Sequence, residues 1–174
     1  MDTKILRQKI LDLAIRGKLV KQDADEEPAS VLLARIRKEK ERLVKEGKLK
    51  KKDLVTTPVS DEDKPFEVPE SWEWVTVKQC LSLKSGINIK VRANSDLGEY
   101  PIYGGNGESG RYNSFNVEKG TLIIGRVGYY CGCVHLTRSK AWVTDNALIV
   151  TKDNSYDCKF LYYLLNYLDL RKTS

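Results

Sequence analysis

Aromatic side chains divide this chain in two. Residues 1–65 contain no Phe, Trp or Tyr, and all of these fall from Phe66 onward. Aromatic side chains bury about 150–250 Å² each and dominate protein cores. A chain of 174 residues has material for one core of about 100–150 residues with something left over. The composition shift therefore predicts an aromatic-free appendage followed by one core-forming domain, and the length excludes three domains.

The appendage, residues 1 to about 50, reads as helix. Ile5, Leu6, Lys9, Ile10, Leu13 and Ala14 recur at helical spacing, with Asp2 or Thr3 able to cap the start and Gly17 placed to end it. A second helix is predicted to begin near Pro28, after the acidic run Asp25, Glu26 and Glu27, because Pro fits a first helical turn and acids favour a helix N-terminus. Its apolar stripe is Leu32, Leu33, Ile36, Leu43 and Val44, opposite a face where Glu41 precedes Lys45 by four residues, and Gly47 ends it. A stripe this narrow needs a partner, so Leu32, Leu33, Ile36 and Leu43 are candidate partner-binding residues.

Residues 51–65 carry a basic cluster, two prolines and an acidic cluster without apolar periodicity, and read as an exposed linker. From 66 the pattern changes to period two. Trp72, Trp74, Thr76 and Lys78 fall on one face of a predicted strand and Val75 and Val77 on the other. "TLIIGRV", "YYCGCVHLT" and "KAWVTDNALIVT" are further predicted strands. "CKFLYYLLNYLDLRK" sets Phe160, Leu161, Leu164, Leu165 and Leu168 on one side of a terminal helix. The expected class is α+β: N-terminal amphipathic helices, then a β-rich domain over 66–174 that ends in a helix.

"YGGNGESG" spells G-x-G-x-x-G with Gly105, Gly107 and Gly110. A dinucleotide site needs a helix after the last glycine and an acid about 20 residues on. The following "RYNSFNVEKG" has neither the pattern of a helix nor that context, which favours a glycine-rich loop between strands. Cys131, Cys133 and His135 would share one face of a strand and could begin a metal site, with Cys80 or Cys158 as fourth ligand. The alternative is a set of small buried residues, and no metal ligand is assigned. A single histidine, no G-x-S-x-G elbow and no Walker loop argue against an enzyme. "TDNA" lacks the Pro-Pro-aromatic tail of an amino-methyltransferase motif. Four irregularly spaced cysteines fit reduced thiols. The absence of an apolar run long enough for a signal peptide or a membrane span leads to an expected cytoplasmic location with no membrane contact.

Lys and Arg outnumber Asp and Glu by 30 to 24, a formal charge of +6 and a pI near 9. Such a balance suits a polyanionic partner. Lys90, Arg92, Arg111, Arg126, Arg138 and Lys140 lie among Tyr, Asn and Gly loops, with Asn106 between two of the glycines. Lys and Arg grip phosphates, and Arg and Asn can read guanine and adenine edges. Arg126, between "TLIIG" and a further Gly, is either paired with a carboxylate or aimed at a ligand.

"LRQKILDLAIRGKLV", "EEPASVLLARIRKEKERLVKEGKLKK", "PFEVPESWEWV", "YPIYGGNGESGRYN", "GTLIIGRVGYYCGCVHLT" and "AWVTDNALIV", in this order, resemble the specificity subunit of type I restriction-modification systems. The resemblance covers nearly the whole chain. It implies a non-catalytic reader of duplex DNA that directs methyltransferase and restriction subunits to their target. On this reading 1–50 is the conserved helical spacer and 66–174 a target-recognition domain. No cofactor is expected in the chain, since S-adenosylmethionine, ATP and Mg²⁺ would belong to the partner subunits. Members of the family usually carry two recognition domains with further helices, so this chain is expected to be a truncated or partial form, able to self-associate through its helices. A fragment that binds the methyltransferase without reading DNA is the alternative.

Overall fold

The computed structural model describes residues 2–48, 50–54, 57–89, 98–151 and 156–173. It falls into two compact units, 1–80 and 81–174.

The first unit is built on two helices, α1 (Thr3–Ile15) and α2 (Ala29–Lys45). Asp2 caps α1 by accepting from the Lys4 N–H at 2.9 Å. At the other end Gly17 takes φ +67°, and Lys18 N–H reaches back to the Leu13 carbonyl at 2.8 Å. The same six-to-one bond, from Lys48 to Leu43, closes α2, so both predicted glycine stops end their helices by this left-handed cap. Ile15 is buried, whereas no residue of α2 is fully buried and its stripe is half-covered.

The predicted strand at 72–78 does not form. Its backbone is used locally and against the helices, which leaves no ladder to join. Ser71 carbonyl accepts from Ala29 N–H at 2.9 Å, Trp74 Nε1 donates to the Phe66 carbonyl at 3.1 Å, and Lys40 Nζ donates to the Gln79 carbonyl at 2.5 Å. Thr76 N–H donates to Gln79 Oε1 at 2.6 Å, opening the short helix α3 (Val77–Cys80). This is the backward half of a capping box, whose T-x-x-Q signature stands in the sequence. Pro69 and Trp72 sit over Gly17, where a Cβ would lie 2.6 Å from Pro69 Cγ. The Phe66 ring is held edge-on by Trp74 and capped by the Arg16 guanidinium. Residues 66–80 thus complete the helical unit, and the boundary between units falls at 80/81 instead of 65/66. Within the expected linker, 3₁₀ turns form at Lys51–Leu54 and Asp61–Asp63.

The second unit holds two sheets. The first has the order β1 (Ser82–Ser85), β7 (Ala147–Thr151), β4 (Leu122–Gly125), β5 (Val134–Leu136), all antiparallel. The second has β3 (Gly107–Tyr112) antiparallel to β2 (Tyr100–Gly104), which pairs in parallel with β6 (Trp142–Val143). One buried cluster takes Ile123, Ala147 and Ile149 from the first sheet and Tyr103 and Val143 from the second. Burying side chains such as these is worth roughly 1.5–3 kcal/mol each. Every residue of β4 is buried, as its unbroken apolar run requires of a strand covered on both faces. Helix α4 (Cys158–Leu168), capped by Asp157, packs against β5 and buries Leu165. No described helix is long and apolar enough to cross a membrane.

The glycine fingerprint is the tip of the β2–β3 hairpin. Gly104 pairs with Gly107 across the two-residue turn Gly105–Asn106. At that tip the backbone of Gly105 meets the end of β4 directly: a Cβ on Gly125 would lie 3.0 Å from the Gly105 carbonyl and 2.2 Å from that of Tyr130. Gly125→Ala is expected to destabilise by more than about 3 kcal/mol, since neither backbone can yield. Gly120→Ala, at φ +78° with open space around it, is expected to cost only about 1–2 kcal/mol. Urea unfolding of the two variants tests the order.

Candidate nucleic-acid interface

Three connections meet at the β4 C-terminal end of the second unit: the β2–β3 turn, the β4–β5 loop over 126–133, and the corner at 144–146 where the chain leaves β6 for β7. Arg126 N–H donates to the Asn146 carbonyl at 3.0 Å, and a Cβ on Gly105 would sit 3.3 Å from that same carbonyl and 3.7 Å from the Val127 carbonyl. Residues beyond β1 join them, with Gly86 N–H bonded to the Ala147 carbonyl and Ile87 N–H to that of Val143. Asn106 and Arg126, both exposed, are thereby neighbours on one rim.

For Arg126 the sequence left two uses open, a carboxylate partner or a ligand. Among the described residues its guanidinium makes one hydrogen bond, to Ser85 Oγ at 3.0 Å, and no ion pair joins it to a described carboxylate. Its charge stands at the rim oriented by a neutral hydroxyl. An Arg held but not neutralised keeps donors of its planar fork for a ligand.

The other candidates lie elsewhere. β4 and β5 pair from Leu122–Leu136 to Ile124–Val134, so Arg138 and Lys140, which follow β5, are past the opposite end from Arg126. The intervening strand is about 13 Å long at some 3.3 Å per residue. Lys140 is 3.7 Å from Glu118 and its ammonium lies 4.2 Å from the centre of the Phe115 ring. Arg111 donates to the Glu99 carbonyl at 3.0 Å and pairs across the hairpin with Pro101, far from the turn. Nearby, hydrogen bonding to Glu99 raises the Tyr100 phenol above its ordinary value, and burial, with the Glu108 charge, raises that of Tyr103. Lys90 and Arg92 lie outside the described residues. Within the first unit, Leu32, Leu33, Ile36 and Leu43 are half-buried, whereas Ile5, Leu6, Ile10 and Leu13 on α1 are exposed.

"YYCGCVHLT" is a strand only in its second half. A 3₁₀ turn at Gly128–Tyr130 precedes β5, and Cys131 and Cys133 flank Gly132 in the turn that follows. The two thiols therefore do not alternate with His135 along a strand. Cys131 Sγ donates to the Arg126 carbonyl at 3.3 Å, and His135 Nε2 bonds the Gly105 carbonyl at 3.2 Å beneath the hairpin turn. No group of three or more described His, Cys, Asp or Glu side chains is placed to hold a metal.

The same loop shows what the sequence reasoning missed. Tyr129 is 90% exposed, with Val127 and Tyr130 also open to solvent, beside Arg126. The signal was the bracketing of two aromatics by glycines in "GYYCG", which marks a loop more than a strand.

Comparisons with known proteins find relatives over about half of the chain. Over 93 residues, 53% of this chain, it is 50% identical to the type I restriction enzyme EcoEI specificity subunit of Escherichia coli. It is 53% identical over 93 residues to the EcoAI specificity subunit of the same organism. The matched stretch spans only 15% and 16% of the length of those two proteins. A solved structure described as the basis of complex assembly and conformational transition of the type I R-M system aligns with 98% of this chain and 41% of its own. Its TM-score is 0.50 and its identity 15%, a likeness of fold. No family model matches the chain.

An exposed Arg with a single neutral bond contributes little to folding. Arg126→Ala is expected to leave stability within about 0.5 kcal/mol of the parent chain, as read by thermal unfolding. A larger loss would make Arg126 a structural residue.

Proposed function

We propose that this chain is a DNA-reading segment of a type I restriction-modification system, a non-catalytic specificity element that directs methyltransferase and restriction subunits to duplex DNA. The observation that carries the reading is the convergence on one rim, where three connections meet, of Asn106 and an Arg126 that pairs with no described carboxylate. Identity of 50–53% with two specificity subunits supports it, as does the net charge of +6. In this reading Arg126 and Asn106 face base edges. Arg111, Arg138 and Lys140 at the other end contribute at most to the backbone field, Lys140 least of all because Glu118 and Phe115 already engage it.

The two units divide the work. The second reads DNA and the first docks the methyltransferase, through the α1 face of Ile5, Leu6, Ile10 and Leu13 together with the half-covered stripe of α2. Large aliphatic side chains left in water forgo roughly 1.5–3 kcal/mol each on full burial, which a partner surface would recover. S-adenosylmethionine, ATP and Mg²⁺ belong to the partners.

Binding of duplex DNA by the 174-residue chain, titrated with salt, tests the first half. Affinity is expected to fall linearly with log salt, by about 0.9 per phosphate contacted. Arg126→Ala is expected to lose about 1–3 kcal/mol and relax preference at one position, whereas Lys140→Ala weakens all sequences equally and less. Capture of methyltransferase subunits tests the second half: Ile5→Asp with Ile10→Asp abolishes it and spares DNA binding. A chain that captures methyltransferase yet binds no DNA at low salt is an interaction fragment, and the reader assignment then fails.

A further inference from the structure

The most exposed large apolar side chain of the described residues is not on a helix but at the tip of the β4–β5 loop. Tyr129 is 90% exposed and its ring stands edge-on to Tyr130, centroids 5.2 Å apart. The loop beneath it is tightly made. Cys131 N–H bonds the Gly128 carbonyl at 3.0 Å, Cys133 N–H that of Tyr130 at 3.1 Å, and Gly132 N–H that of Gly125 at 2.9 Å. The Cys131 thiol closes the loop onto the Arg126 carbonyl, and the C-terminal 3₁₀ turn packs on Gly132, where a Cβ would meet Leu170 and Arg171 backbone at 2.8 Å. An aromatic ring left wholly in water on a loop held this firmly forgoes burial without gaining flexibility. The cost of ordering the loop has been met before any partner arrives, which is how a recognition tip is pre-organised.

The chemistry around the ring says which partner it suits. Residues 126–133 contain no acidic side chain, and Arg126 stands three residues before Tyr129 without an ion pair to any described carboxylate; the other charges beside the tip are Arg171, which interacts electrostatically with Tyr129 and is paired with Asp169 at 2.8 Å, and Asp145 on the neighbouring corner. Asn106 is on the neighbouring turn. In the major groove Arg reads guanine O6 and N7, and an apolar surface reads the 5-methyl group of thymine. We infer that Tyr129 is a specificity-determining residue whose ring covers the 5-methyl edge of a thymine in the major groove, next to the base pair read by Arg126. The inference rests on the DNA-reading function proposed above and names the base feature that this tip recognises. The ring supplies the contact, so the phenol oxygen is dispensable.

The test is selection of bound duplexes from a randomised pool by the parent chain and by Tyr129→Ala, Tyr129→Phe and Arg126→Ala, followed by replacement of each enriched thymine with deoxyuridine. Tyr129→Ala is expected to lose preference for thymine at one position, and Arg126→Ala at its neighbour, while Tyr129→Phe selects as the parent does. Removing the thymine methyl at that position weakens the parent chain about fourfold, the worth of one buried methylene-sized group, and leaves Tyr129→Ala unaffected. Identical selected sequences for Tyr129→Ala and the parent overturn the inference, whether the variant binds DNA as well as the parent or uniformly more weakly. So does a Tyr129→Ala variant whose only defect is in methyltransferase capture, which would make the tip a protein contact. No enrichment by any of the four proteins is a different failure, that of the DNA-reading function itself. Unfolding curves of the Tyr129 variants matching the parent, as 90% exposure requires, keep misfolding from imitating any of these results.

Discussion

The backbone of Gly105 lies directly against that of Gly125, and the arrangement of this end of the second unit follows from the contact. Two sheets packed through their side chains lie about 10 Å apart. Here the tip of the β2–β3 hairpin and the end of β4 meet with no side chain between them, so the two sheets close on each other at one end. The closure brings the hairpin turn, the β4–β5 loop and the corner at 144–146 onto one rim. Asn146 carbonyl serves two of them, accepting from Arg126 N–H and crowding Gly105. His135 is a second strut under the hairpin turn, its ring beneath Gly107 and its Nε2 on the Gly105 carbonyl. A methyl group at either glycine would push these loops apart.

The helical unit depends on a comparable close approach of a different kind. Gly17 takes the left-handed conformation that ends α1, and the same absence of a Cβ lets Pro69 and Trp72 settle on it. The aromatic-free helices therefore gain their aromatic contacts from residues 66–80, which supply the half-buried Phe66, Trp72 and Trp74. Even so, α1 keeps Ile5, Leu6 and Ile10 in water. A helix of this length is marginal on its own, which makes that face the natural place for a further protein surface.

Helices were the legible part of the sequence. Their apolar spacing, Asp2, Pro28, Gly17 and Gly47 are local signals with local causes, and α4 followed from the same reasoning through Leu161, Leu164, Leu165 and Leu168. Strands were legible where an apolar run is buried on both faces, as in β4 and β7. They were not legible in "SLKS" and "GESGRY", exposed or Gly-broken segments whose pairing depends on distant partners. The alternation at 72–78 misled because the aromatic residues there pack onto helices distant in sequence, and the T-x-x-Q cap went unread. Of the candidate site, the exposure of Arg126 was legible, because a cation between glycines after a buried run has few structural uses. Its separation from Arg138 and Lys140 could not be found, since the direction in which β5 returns along β4 is a tertiary fact.

The loop that carries Arg126 and Tyr129 is shaped almost entirely by groups that every residue type possesses. Its bonds run from backbone N–H to backbone carbonyl, helped by glycines and one thiol, while the side chains at 126, 127, 129 and 130 point outward with little part in holding it. Stability and recognition are thus written in different atoms. Exposed side chains on such a frame can be exchanged at a cost typical of surface positions, within about 0.5 kcal/mol. Each exchange nevertheless alters what a groove would meet at the rim. If the rim reads DNA as proposed, positions energetically uncoupled from the core can change the sequence recognised while the geometry is kept, and the glycine contact at the base of the rim is what keeps that geometry fixed.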